Sequence, residues 1–226
     1  MKLLTGMLTL AAAFLLVAGP AGAAGFFVQV HGGFAVFDLD DVNDSIDRVN
    51  ASAGEPVLAH INSGPEAGLH VGFALSPELD LGFGFSRQWA TSGYAVGGYL
   101  VEYDLPADLY EICLDYLPAS EKGVRFGAGT TLGMISSAAS LLVTEPGVQD
   151  VNPSFDGVGF HFAAYALVEV PLGVTWSLVG KLGLRHALLN HLKVDGETVY
   201  NPDSLDDKLR FNYSGPLLRV GVRFRP

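Results

Sequence analysis

From Gly68 to Leu75 every second residue is large and apolar: Leu69, Val71, Phe73 and Leu75 alternate with Gly68, His70, Gly72 and Ala74. Side chains point to opposite faces along a strand, so this spacing describes a ribbon with one bulky apolar face and one small or polar face. After Ser76-Pro77-Glu78, a turn-forming run, the pattern resumes with Leu79, Leu81, Phe83 and Phe85 against Asp80, Gly82, Gly84 and Ser86, and the two segments are expected to form a hairpin. A helix-period stripe is absent from both.

The same period of two recurs along the chain. It is carried by Phe26 to Val36, Tyr110 to Tyr116, Val124 to Met134, Phe160 to Val170, Trp176 to Arg185 and Leu218 to Phe224, which makes about eight strands. Connections alternate in length. Ser76-Pro77-Glu78, Pro118 to Lys122 and Pro171-Leu172-Gly173 are short, whereas Asp38 to Glu66, Ala90 to Ala107, Ala138 to Asp156 and Asn190 to Asn212 are long. Short periplasmic turns and long extracellular loops are the layout of a transmembrane barrel of the bacterial outer membrane. The predicted fold is all-β: a closed antiparallel eight-stranded transmembrane β-barrel with both chain ends on the periplasmic side.

The start of the chain agrees with export. Lys2 precedes an apolar run from Met7 to Ala18, and Ala21-Gly22-Ala23 offers small residues for cleavage, so residues 1–23 are expected to be a secretory leader and 24–226 the barrel domain. Composition is 49% hydrophobic, yet no apolar stretch after the leader reaches the roughly 18 residues of a membrane helix. Cys113 is the only cysteine, which excludes an intramolecular disulfide. A net charge of -11 without a Lys/Arg cluster excludes nucleic acid as a partner.

Alternation alone does not say which face meets lipid. The small face carries Asp80, Glu111, Asp115 and Glu169 with Arg125, Lys181, Arg185, Arg219, Arg223 and Arg225, interleaved with glycine. Turned outward into water, so many glycines would occupy positions that solubility usually gives to Lys and Glu. Turned inward, long cations can reach opposed carboxylates across a lumen that an eight-stranded barrel leaves just wide enough for side chains. Asp80, Glu111, Asp115, Arg125, Glu169, Lys181, Arg185, Arg219 and Arg223 are therefore expected to form a lumenal charge network. Buried charges need partners, which makes its role structural; an ion path is the alternative. Tyr110, Tyr116, Trp176, Phe224 and Trp89 are placed for interfacial girdles.

Leu81-Gly82-Phe83-Gly84-Phe85 and the closing Leu218-Arg219-Val220-Gly221-Val222-Arg223-Phe224 resemble the Gly-aromatic strands of the small eight-stranded outer-membrane barrels, the OmpA-like, OmpW-like and opacity-protein-like groups. The resemblance spans the mature chain as a pattern rather than as a motif. It implies outer-membrane lipid and lipopolysaccharide as surroundings, and assembly by the barrel-insertion machinery, which reads a terminal aromatic. Here that aromatic, Phe224, is followed by Arg225-Pro226. Relatives include structural barrels, hydrophobic-solute channels, adhesins and lipid-modifying enzymes, so fold does not fix function.

Arg185-His186-Ala187-Leu188 looks like the His-x-Ser element of lipid A deacylases, but Leu188 stands at the serine position, leaving His186 no nucleophile to activate. A non-enzyme without cofactor is expected. No resident metal is expected either: the histidines are dispersed without a ligand-spaced pair on one strand face, and His161 reads as a lumenal hydrogen-bonding residue. Asp38 to Asp44 is rich in oxygen ligands but lacks the glycine and terminal glutamate of a calcium hand, and is expected to be a solvated acidic loop. Gly127 to Gly133 lies inside a strand and has the wrong spacing for a dinucleotide loop.

Two long loops are apolar, Tyr94 to Val101 and Ala138 to Val143. By resemblance to the OmpW-like group, Tyr99, Leu141 and Leu142 are candidates for a hydrophobic mouth that takes small apolar molecules; strands that pair above the membrane are the other reading. The functional expectation is a narrow channel or binder for small hydrophobic molecules, with a structural or surface-interaction barrel of plugged lumen as alternative.

Overall fold

The computed structural model describes residues 25–96, 98–120, 123–145, 152–190, 192–201 and 204–226. The expected leader, residues 1–23, lies outside them. In chain order the elements are β1 (Phe26–Val36), α1 (Asp40–Ala53), β2 (Ser63–Ser76), β3 (Leu79–Gln88), β4 (Thr91–Val96), β5 (Tyr99–Asp104), β6 (Ala107–Tyr116), β7 (Arg125–Thr144), β8 (Ser154–Pro171) and β9 (Trp176–Leu189). Then come the short β10 (Lys193–Val194), β11 (Glu197–Thr198), β12 (Tyr200–Asn201), β13 (Ser204–Lys208) and β14 (Phe211–Asn212), and finally β15 (Gly215–Phe224).

Eight of these strands close a ring. β1 pairs with β2, β2 with β3, β3 with β6, β6 with β7, β7 with β8, β8 with β9 and β9 with β15, all antiparallel. β15 returns to β1 from Val28↔Phe224 to Ala35↔Leu217, so the sheet has no free edge along its wall. Closure satisfies the backbone polar groups that lipid cannot. No helix among the described residues is long and apolar enough to cross a membrane; the strands do so.

The exterior is the Leu/Phe/Val face. Phe126, Phe160 and Leu184 are 72%, 75% and 67% exposed, whereas Lys181 and Arg219 on the alternate face are 1% and 2% exposed. Such an inversion is stable only in a barrel standing in lipid. At the periplasmic rim, Trp176 and Phe224 pack with tilted rings and centroids 4.8 Å apart, and Tyr116 is exposed elsewhere on the same rim. Trp89 is exposed at the other end, while Tyr110 packs on Phe85 at 5.5 Å along the outer wall.

The wall is uneven in height. β7 has 20 residues and β8 has 18, well beyond the ~10 that cross a bilayer, so their ends rise above it. The Ala138 to Asp156 connection therefore begins and ends as strand, with Ala138↔Asp156 and Ser140↔Ser154 still paired. β4 and β5 form a hairpin that adds to β7 from Asp104↔Ser140 to Leu100↔Thr144.

The first long connection departs most from its expectation as a solvated acidic loop. Its middle is α1, with Asp40 and Asp41 in the first turn, where the helix dipole favours them, and Gly54 at φ 78° ending it in the left-handed conformation. Val42, Asn43 and Ile46 are buried because they share one helix face, and apolar contact outweighs solvation of the acids on the other. Asn43 Oδ1 accepts from Ile61 N at 2.8 Å, and Asn50 Oδ1 accepts from Leu58 N at 2.8 Å, which holds the return segment against the helix. Glu66 is not in the loop at all: it lies in β2 and is 3% exposed.

Candidate functional site: the lumen and its extracellular cap

The inward row of each strand is set by parity, and closure brings rows from distant strands together. Near the periplasmic rim, Asp80 and Asp115 are direct cross-strand partners, which by itself is repulsive. Arg223 from β15 bridges them, donating from Nη1 to Asp80 Oδ2 at 2.8 Å and from Nη2 to Asp115 Oδ2 at 2.9 Å. It also donates to Gln29 Oε1 and lies 4.5 Å over the Phe27 ring. Lys181 Nζ donates to Asp115 at 3.1 Å and to Tyr165 Oη at 3.1 Å. Arg125 donates to Glu169 Oε2 at 2.8 Å, and Arg225 to Asp80 Oδ2 at 2.7 Å.

A second group lies nearer the extracellular end. Arg219 grips Glu111 with two bonds, Nη1 to Oε2 at 2.8 Å and Nη2 to Oε1 at 2.6 Å, and donates from Nε to Glu66 Oε1 at 2.6 Å. Arg185 donates to Glu66 Oε2 at 2.8 Å, to Gln88 Oε1 and to the Tyr213 carbonyl. All nine residues read from the sequence as lumenal charges thus face inward, and each has an oppositely charged partner in one of the two groups.

Glu66, Gln29, Gln88 and His31 also face the lumen and were not placed there from the sequence, whereas His70 and Tyr165 fall on the inward face of their strands by parity. Parity could have found Glu66, which shares the inward register with Gly68 and His70. His161, expected to be a lumenal hydrogen-bonding residue, is buried and has no side-chain hydrogen-bond partner among the described residues; the Tyr110 backbone carbonyl lies within reach of its ring.

Above the charged groups the lumen is apolar. Phe37, Leu39, Leu105, Leu109, Ile135, Leu189, Phe211 and Tyr213 form one buried cluster with Val42 and Ile46 of α1. The cap also holds a cleft of about 310 Å³ lined by Val42, Tyr103, Leu105, Leu141, Phe155, Val199, Leu209 and Phe211, with Asp41, Ser45, Arg48 and Tyr200 at polar positions. The three mouth candidates separate. Leu141 lines the cleft, Leu142 points to the opposite face of β7, and Tyr99 is exposed at the tip of β5.

His186 has a serine neighbour after all. Ser214, across the strand pair rather than two residues along, places Oγ 3.2 Å from His186 Nδ1. That hydroxyl also accepts from Ala187 N at 2.9 Å, tying the start of β15 to β9, and among the described residues no carboxylate orients the imidazole.

No protein-family model matches the chain, and no curated protein matches it. Solved structures do. Neisserial surface protein A is similar at 15% identity and a TM-score of 0.51, with 89% of this chain and 97% of that one covered. A major outer membrane protein from Thermus thermophilus has 15% identity and a TM-score of 0.51, covering 89% and 99%. Ail, the attachment invasion locus protein of Yersinia pestis, has 8% identity and a TM-score of 0.50, covering 90% and 100%. At these identities the likeness establishes the fold. The protein has the fold of the small eight-stranded outer-membrane β-barrels.

Proposed function

We propose that the protein is a non-conducting outer-membrane barrel whose working part is the extracellular cap, where the cleft beside α1 binds small apolar molecules. The observation that carries this reading is the double closure of the lumen. Two ion-paired groups fill its middle and periplasmic parts, and the apolar cluster built on Leu39, Ile46, Leu109, Ile135 and Leu189 closes it above them. An ion passing through would have to break charge-assisted bonds and then cross an apolar layer; both steps are costly. The cleft suits the cargo: concave, mostly apolar, with a few polar groups at its edge. Phe224, packed on Trp176 at the periplasmic rim, would serve as the aromatic read during barrel insertion.

Planar-bilayer recording of the refolded barrel is the test of closure. A silent barrel is expected; discrete openings that change in Glu111→Gln or Arg185→Gln would replace this reading with a channel. Binding of an apolar fluorescent probe, 1-N-phenylnaphthylamine, tests the cleft. Leu141→Asp is expected to weaken it by about tenfold or more, since a carboxylate against apolar walls costs at least ~1.4 kcal/mol. Unchanged affinity would remove the cleft from the proposal.

A further inference from the structure

One inward row spans five strands: His70, Gly84, Glu111, Gly133 and His161, each the direct cross-strand partner of the next. The row is symmetric about the carboxylate. A Cβ on Gly84 would stand 2.5 Å from His70 Nε2, and a Cβ on Gly133 would stand 2.8 Å from His161 Nε2. Each imidazole therefore lies over the glycine that separates it from Glu111, leaning inward from either side. Cys113 is two residues beyond Glu111 on the same face of β6 and is 3% exposed.

The donor atoms are already gathered. His70 Nε2 is 3.1 Å from Glu111 Oε2, and Cys113 Sγ is 3.9 Å from His70 Nε2 and 4.0 Å from Glu111 Oε2. Donors held at about 2.0–2.3 Å from a tetrahedral ion lie roughly 3.3–3.6 Å apart, so this triangle needs shifts of only tenths of an ångström. His161, 1% exposed, has no side-chain hydrogen-bond partner at either nitrogen among the described residues, only the Tyr110 backbone carbonyl within reach, and it stands in the same row just outside the three-donor cluster.

We propose that His70, Glu111 and Cys113, with His161 moving in from outside their cluster as the fourth donor, form a lumenal site for a divalent transition metal of borderline softness, such as zinc. The mixed N, O and S set disfavours calcium and magnesium, which take oxygen ligands. On binding, the Cys113 thiol loses its proton to solvent as a thiolate–metal bond forms, and His70 keeps one proton, on Nδ1, freeing Nε2 for the ion. The ion displaces the Arg219 Nη1 bond to Glu111 Oε2, while Arg219 Nη2 retains its bond to Oε1 and orients the carboxylate from outside the ligand set. Charged groups below and the apolar cluster above close the lumen, so the ion is taken up before the barrel shuts. Once held, it cross-links β2, β6 and β8. The proposal is independent of what the cap binds.

The test is to refold the full chain from urea into detergent micelles with Co²⁺, then remove unbound metal by gel filtration. Folding is verified by heat-modifiable gel migration. The expected result is one cobalt per folded barrel with a thiolate-to-cobalt charge-transfer band. Cys113→Ala should lose the band and at least tenfold in retained cobalt, and His161→Ala should keep the band with weaker retention. Folded wild-type barrel that retains no stoichiometric cobalt would overturn the site, whatever the variants do. So would a Cys113→Ala barrel with unaltered spectrum and retention, and unchanged retention in His161→Ala would overturn the fourth donor.

Discussion

Replacing Arg219 with methionine keeps most of the side-chain volume and removes the cation that holds two buried carboxylates. Three charge-assisted bonds go, to Glu66 Oε1 at 2.6 Å, Glu111 Oε1 at 2.6 Å and Glu111 Oε2 at 2.8 Å. The consequences for the two acids differ. Glu66 keeps Arg185 at 2.8 Å, whereas Glu111 is left with His70 at 3.1 Å and the weak thiol donor of Cys113 at 4.0 Å. The dominant cost is thus one buried, nearly unpaired carboxylate, and removing one partner of a buried pair costs about 3–5 kcal/mol. Summing the three bonds separately would count the same desolvation more than once. Adding Glu111→Gln to Arg219→Met removes the stranded charge, so the double variant should lie about 1–3 kcal/mol above the sum of the single losses. Urea unfolding in lipid vesicles, followed by the fluorescence of Trp89 and Trp176 on the outer wall, measures each corner of the cycle. If Arg219→Met costs less than about 1 kcal/mol, the behaviour of a solvent-exposed pair, Glu111 is hydrated and the lumen is not closed.

Ile46→Ala should cost about 2–5 kcal/mol in the docking of α1, because Ile46 is fully buried in the cap cluster. The expected readout is faster proteolysis within residues 38–62 with unchanged heat-resistance of the barrel; equal cleavage rates would show that the helix is not held by this contact. At the start of the helix, Asp40 is raised above the ordinary aspartate value, first by its hydrogen bond with Asp38, then by slight burial and by charge repulsion from Asp38. A raised folded value means that this contribution to cap stability is full below the unfolded value and is lost as pH rises through the folded one. Asp38→Asn should lower the Asp40 titration midpoint observed by NMR, and an unmoved midpoint would contradict the contact.

The barrel wall was legible because a strand writes its two environments into alternate positions. Leu81-Gly82-Phe83-Gly84-Phe85 states both its conformation and its two faces, and once polar residues are assigned inward the same parity places Lys181, Arg185, Arg219 and Arg223 in the lumen. The cap was less legible. Val42, Ile46 and Val49 stand at helical spacing with Gly54 as a stop, but the surrounding acids gave the segment the look of a solvated loop. The long apolar loops were read as mouth or paired strand, and Tyr103↔Leu141 shows the pairing that divides Leu141 from Leu142.

Which lumenal charges pair was not legible. Periodicity is local, so it assigns each residue a face, and that is why an all-β wall, an apolar exterior and a charged interior follow from the residues alone. Which charges meet depends on the stagger of strands around a closed ring. Asp80 and Asp115 are opposed on adjacent strands and are reconciled only by Arg223, 143 residues from Asp80 along the chain. The same stagger aligns His70, Gly84, Glu111, Gly133 and His161 in one row, although no two of them are close enough in sequence to suggest a site. Local spacing sets orientation; register across the closed sheet sets proximity, and the chemistry of the lumen depends on proximity.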